Sequence, residues 1–216
     1  MNMFYLIVSF ILFCFSGFSG ECYRGELLEE KLTQESLKPL DNRCRIILLR
    51  HGETDWNTQG KKQGWTDIPL NEEGERQAQN LAEKLSDLTV KTIYSSSLSR
   101  ATKTAEIIAA RHKGVSVIPD PALRFYRLDK IKLFNIFKTK KMKKDQMTRE
   151  VTEDSIAYFK KLSLKHPGET VLVVTHSRVV KSVIRALEDR KTREIRIKNM
   201  AIVRVIGDGE TLSIEW

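Results

Sequence analysis

Apolar and polar positions along the chain sort into short apolar runs separated by stretches with helical spacing. Arg45–Leu49, Thr92–Tyr94, Val115–Ile118 and Thr170–Thr175 are the runs, and each reads as a strand. Asn71 is a good N-cap, followed by Glu72 and Glu73 in a first turn whose dipole favours anions. Ala78, Leu81, Ala82 and Leu85 then recur at helical intervals. Further helices are predicted over Leu98–Arg111 behind a Ser97 cap, around Glu150–Leu164, and from Arg178 to Leu187. His166-Pro167-Gly168 reads as a turn, and Ala201–Ile206 with Thr211–Ile214 reads as a hairpin around Gly207-Asp208-Gly209. Strands alternate with helices, and two strands are apolar on both faces. The pattern predicts an α/β fold, a three-layer sandwich whose mostly parallel central sheet carries helices on both faces.

The N-terminus departs from this pattern. MNMFYLIVSFILFCFSGFSG carries no charge, and Met3 to Phe18 is almost wholly apolar. That run matches the apolar region of a signal peptide and is short against the roughly 20 residues of a spanning helix. Gly17 and Ser19 supply small residues for cleavage after Ser19. Residues 1–19 are therefore expected to be a signal peptide or a membrane anchor, residues 20–42 a polar lead-in, and residues 43–216 the folded domain. The expected location is exported, periplasmic or secreted, or membrane-anchored through the N-terminus. Cys14 would leave with a signal, so Cys22 and Cys44 remain, and both a bridge and two free thiols fit. The isolated cysteines and four histidines show no zinc-site spacing.

The net charge of +9 is concentrated. Between Arg124 and Arg149 ten Lys and Arg face only Asp129 and Asp145. This segment fits either a surface for anionic partners or a solvated basic loop. It lacks the spaced aromatics of a base-stacking platform, so no nucleic-acid partner is expected.

Chemistry is concentrated at strand ends. In open α/β sheets the binding crevice lies beyond the carboxyl ends of the strands. Ile46–Leu49 runs into Arg50-His51, and Val171–Thr175 runs into His176. Arg100 falls on the first turn of a helix that begins just after a strand. If the strands are neighbours, two histidines, two arginines and a helix N-terminus meet in one crevice and form an anion trap suited to a phosphoryl group.

With these residues in view, the chain resembles the histidine phosphatase superfamily, the phosphoglycerate mutase-like family. LLRHGETDWNTQGKKQGWTDIPLNEEGERQA is similar to its opening block, SSLSRATKTAEII to its second and VLVVTHS to its third. KNMAIV resembles the terminal Asn-containing strand, and the likeness runs from Ile46 to Trp216. The resemblance implies that His51 is the nucleophile of a phosphohistidine mechanism, with Arg50, Arg100 and His176 holding the phosphoryl oxygens. Asn57 would add a hydrogen bond to the same group, with Gln63 and Gly64 in the substrate loop and Glu53 structural. It implies a small phosphorylated substrate, no cofactor and no metal, the guanidiniums supplying the positive charge.

One part of the family pattern is missing. The family's Leu-x-Glu segment supplies the general acid, and here the corresponding stretch reads PALRFYRLDKIKLF, with Phe125 in the glutamate's place. Ser177 also follows His176 where glycine is common. Three explanations fit: a displaced acid, with Asp129 nearest and Asp145, Glu150 or Glu153 further off; a substrate with a good leaving group; or an impaired relative that binds anions through the basic 124–149 segment. A phosphoglycerate mutase fits less well, because only about 60 residues separate the Arg100 helix from the His176 strand, too few for that enzyme's insertions.

Overall fold

The computed structural model describes residues 40–124, 140–188 and 196–215, with side chains from 147 onward in the second segment. The signal or anchor segment, the lead-in before residue 40, Phe125 and Asp129 lie outside the described residues.

Six strands form one sheet: β1 Cys44–Arg50, β2 Thr92–Ser96, β3 Val117–Asp120, β4 Thr170–Thr175, β5 Ile202–Gly207 and β6 Leu212–Glu215. Their order is β3-β2-β4-β1-β5-β6. The first four run parallel, and β5 is antiparallel to both β1 and β6. The helices are α1 Asp55–Thr58, α2 Glu72–Leu85, α3 Ser99–Ala109, α4 Lys140–Lys165 and α5 Ser177–Glu188, with a 3-10 turn at Pro121–Leu123.

Alternation along the strands divides the core in two. Ile47 and Leu49 of β1 pack with Leu81 and Leu85 of α2 and Ile108 of α3, whereas Ile46 and Leu48 pack with Phe159 of α4 and Val183 of α5. The α/β three-layer sandwich is thus observed. Among the described residues no helix is long and apolar enough to cross a membrane.

Local departures have local causes. Ser97 does not cap α3: the N-cap is Leu98, without a side-chain hydrogen bond, and the Ser97 hydroxyl instead accepts from Arg124 Nε at 2.6 Å. β3 begins at Val117, because the turn through Gly114 (φ +78°) closes with Val115 N–H bonded to the His112 carbonyl. α4 begins at Lys140, before the expected start, since Lys, Met and Gln are strong helix formers and nothing in KKMKKDQM stops the helix. The C-terminal part of the basic segment is therefore helix and not loop. Cys44 is a free thiol buried in the core, where loss of hydration pushes it up to about 12.

The sheet closes around one buried ion pair. Arg45 Nε and Nη2 donate to the two carboxylate oxygens of Glu215, each at 2.9 Å, and tie the start of β1 to the end of β6. Removing one member of such a pair strands a buried charge. Glu215→Ala is expected to lower unfolding free energy by about 3–5 kcal/mol in denaturant titrations, and R45M/E215L to recover most of it. A loss below about 1 kcal/mol for Glu215→Ala would show that the pair is dispensable.

Candidate active site

The pairing of β1 with β4 brings the strand-end histidines together. Arg50 lies opposite Thr175, and the His51 N–H donates to the Thr175 carbonyl at 3.0 Å. The His51 and His176 rings are 5.2 Å apart between centroids, at 67°, and each residue is only 3% exposed. The turn after His51 leaves no room for side chains. A Cβ on Gly52 would sit 2.6 Å from the Gly74 carbonyl, and one on Gly74 would sit 2.7 Å from the Glu53 nitrogen. The start of α2 is thus packed backbone to backbone against the histidine turn. Asn71 completes the joint: its side chain accepts from Gly74 N at 2.8 Å and donates to Glu53 Oε1 at 3.1 Å. Glu53 serves this joint, which matches its structural reading.

The hydrogen bonds of His51 define its reactive nitrogen. Nδ1 lies 2.7 Å from the Gly52 carbonyl. A carbonyl only accepts, so Nδ1 carries the proton and the lone pair of the neutral ring is on Nε2. His176 Nε2 lies 2.8 Å from the Ser96 hydroxyl. Burial pushes both rings well below the ordinary histidine value. For His51 the charges of His176, Arg50 and Arg100 act in the same direction, and for His176 those of Arg100, Arg50 and Arg124 do. Both rings are neutral at neutral pH.

The two arginines are held by backbone carbonyls. Arg50 Nη1 donates to Ile197 O at 2.6 Å, and Arg100 donates from Nη1 to Thr66 O and from Nη2 to Gly64 O, both at 3.0 Å. Each Nε is buried without a hydrogen-bond partner among the described residues, where neither guanidinium has an ion pair. Burial lowers each to about 10, with further lowering of Arg50 by Arg196 and Arg100, so both remain cations at neutral pH. Asp67, the carboxylate acting on Arg100, is occupied by the Ser99 N–H and hydroxyl at 2.8 and 2.7 Å. Glu53 acts on Arg50 in the same distant way, paired with Asn71 rather than with the guanidinium, so two cations beside a neutral imidazole remain to suit a tetrahedral dianion.

The remaining expected residues gather around this centre in different ways. Asn57 is reached through Asn199, whose NH₂ donates at 3.1 Å both to Asn57 Oδ1 and to the His51 carbonyl. Gln63 donates to Thr54 Oγ1 at 2.7 Å, while its buried Oε1 has no partner among the described residues. Gly64, at φ +56°, turns its carbonyl onto Arg100, so it holds the cation. Asp129 lies outside the described residues. Ser96, Asn199 and Arg124 were not singled out from sequence, although KNMAIV was the signal for Asn199. Among the described residues no group of His, Cys, Asp and Glu side chains is placed to hold a metal ion.

Comparison with known proteins agrees with the geometry. Residues 46–133 and 134–216 match the family model of the histidine phosphatase superfamily (branch 1). Phosphoglycerate mutase-like protein 4 of Arabidopsis thaliana is 31% identical over 193 residues, covering 80% of this chain and 84% of that protein. The uncharacterized phosphatase PhoE of Bacillus subtilis is 32% identical over 172 residues, covering 74% and 86%. Among solved structures, Bacillus stearothermophilus YhfR superposes with a TM-score of 0.65 at 26% identity, over 79% of this chain and 95% of that one.

The histidine environment has a pH signature. Imidazole nitrogen NMR of the ligand-free protein is expected to show His51 and His176 neutral at pH 6.5 and titrating only below it. A midpoint at 6.5 for either would contradict the buried cationic surroundings. The unfolded chain takes up these protons first, so stability should fall as pH drops below about 6.5. The slope is up to about 1.4 kcal/mol per pH unit for each histidine until the lowered folded values are passed.

Proposed function

The chain belongs to the histidine phosphatase superfamily, and on that premise we propose that it hydrolyses phosphomonoesters through a phosphohistidine on His51. The observation that carries this reading is the His51 ring, whose Nδ1 proton is held by the Gly52 carbonyl and whose Nε2 lone pair lies among arginine cations. In the first step Nε2 attacks phosphorus, the N–P bond forms as the ester P–O bond breaks, and the leaving oxygen takes a proton. Arg50, Arg100, His176 and Asn57 hold the phosphoryl oxygens, with most effect where charge builds up. In the second step water attacks phosphorus, the N–P bond breaks and inorganic phosphate leaves. Asp129, in the segment that replaces the family's acidic motif, is the proposed donor of the first proton and acceptor of the second.

Two other readings have specific support. Phe125, standing where the family carries its acidic residue, favours an anion-binding relative without turnover. The likeness to a phosphoglycerate mutase-like protein favours return of the phosphoryl group to the substrate. Residues 1–19 remain the proposed signal or anchor, placing the reaction outside the cytoplasm or at a membrane surface.

Phosphate release from an aryl and an alkyl monoester, with EDTA present, separates these readings. The hydrolytic reading expects release that falls at least about a thousandfold in His51→Ala. Asp129→Asn is expected to slow the alkyl ester by about a hundredfold or more and the aryl ester much less. Binding with no turnover would establish the anion-binding relative, and, with an alkyl monoester that carries a free hydroxyl, isomerised product without free phosphate would establish the mutase.

A further inference from the structure

Arg124 stands at the rim of the phosphoryl site and is fixed there from two sides. Its neighbour Leu123 accepts from Thr175 Oγ1 at 2.8 Å, and Thr175 immediately precedes His176. Arg124 Nε donates to the Ser97 hydroxyl at 2.6 Å, just past the end of β2. Its guanidinium carbon lies over the Trp65 ring, 5.8 Å from the centroid. Trp65 belongs to the loop whose carbonyls at Gly64 and Thr66 are held by Arg100. Arg124 therefore bridges the His176 strand end and the Arg100 loop.

This cation has no counterpart among the described residues. With Nε committed to Ser97, its two terminal amino groups make no hydrogen bond and no ion pair there. The Trp65 indole N–H is likewise buried and unpartnered among the described residues. Stacking on indole holds the guanidinium plane, and the uncommitted fork of this half-buried residue matches the geometry of a carboxylate or a phosphate. The dianion being transferred already has Arg50 and Arg100, so a third fixed cation beside His176 exceeds what one phosphoryl group requires.

We propose that Arg124, stacked on Trp65, is a specificity-determining residue that binds a second anionic group, carboxylate or phosphate, on the leaving portion of the substrate. The proposal rests on the hydrolytic reading for its kinetics and on the Arg124–Trp65–Ser97 geometry for its location. Arg196 is the natural contrast. It is exposed and lies on the opposite flank, next to Ile197, the residue whose carbonyl accepts from Arg50. Generalised positive potential would give both arginines the same effect, whereas a built subsite belongs to Arg124 alone.

The test uses three esters with one carbon chain: propyl phosphate, the phosphate ester of 3-hydroxypropanoate, and propane-1,3-diyl bisphosphate. In the wild type, kcat/KM for at least one doubly anionic ester should exceed that for propyl phosphate by about ten- to a hundredfold, mainly through KM. Which of the two gains more identifies carboxylate or phosphate. Arg124→Gln should collapse that ratio towards one, Arg124→Lys should restore it in part, and Arg196→Gln should retain it. A wild-type ratio near one, a ratio that survives Arg124→Gln, or an equal collapse in Arg196→Gln would overturn the subsite. Calorimetric titration of the same three esters into His51→Ala, with and without Arg124→Gln, reads the subsite without turnover. There a tighter doubly anionic ester that loses its advantage with Arg124→Gln supports the subsite, and equal affinities overturn it. Failure of all turnover would thus sink the hydrolytic reading while the binding order still decides the subsite.

Discussion

The register of β1 against β4 is the constraint on which the site depends. One backbone bond, from the His51 N–H to the Thr175 carbonyl, stands where both strands end and both histidines begin. A slip of one residue would turn each side chain of β1 to the opposite face and carry His51 away from His176. The apolar pattern does little to prevent it, because β1 is apolar on both faces and either set of residues would find a core. Register is pinned by polar and steric features at the strand's two ends. At the start, Arg45 must meet Glu215 in the interior. At the end, Gly52 must pack against Gly74 with no room for a Cβ on either.

The electrostatics of the site run against the stability of the empty fold. A buried Arg100 and a half-buried Arg50 lie beside each other and beside two buried histidines, with only backbone carbonyls as hydrogen-bond partners among the described residues. Burying a cation without a direct ion pair is unfavourable, and the fold sustains it through neighbours that cannot rearrange. Carbonyl oxygens from the 63–67 loop and from Ile197 fix each guanidinium, so little reorganisation remains when a dianion arrives. Burial, reinforced by the same field, keeps both imidazoles neutral, which is the form that can attack phosphorus.

Much of this was legible in the sequence. The strand ends at His51 and His176 were readable because parallel strands place their carboxyl termini on one edge, and Thr170–Thr175 was observed at its expected bounds. Arg100 was readable because a helix begun directly after a strand aims its first turn at that edge. Ser97 was misread as a cap, because a serine before a helix is the usual local signal and its tertiary partner Arg124 leaves no local trace. The roles of Ser96 and Asn199 were hidden for the same reason, since Ser96 meets a residue 80 positions away and Asn199 one 142 away. The start of α4 was missed because a lysine run has helix propensity without an apolar stripe to reveal its period.

The most direct test is to trap the intermediate. The full chain would be mixed with excess aryl phosphate, quenched in alkali within the first turnover, and mapped by mass spectrometry. The expected result is an acid-labile phosphoryl adduct on His51, formed no more slowly than phosphate is released and absent from His51→Ala. Continued phosphate release with no adduct on His51, or with the adduct on His176, would contradict nucleophilic catalysis by His51.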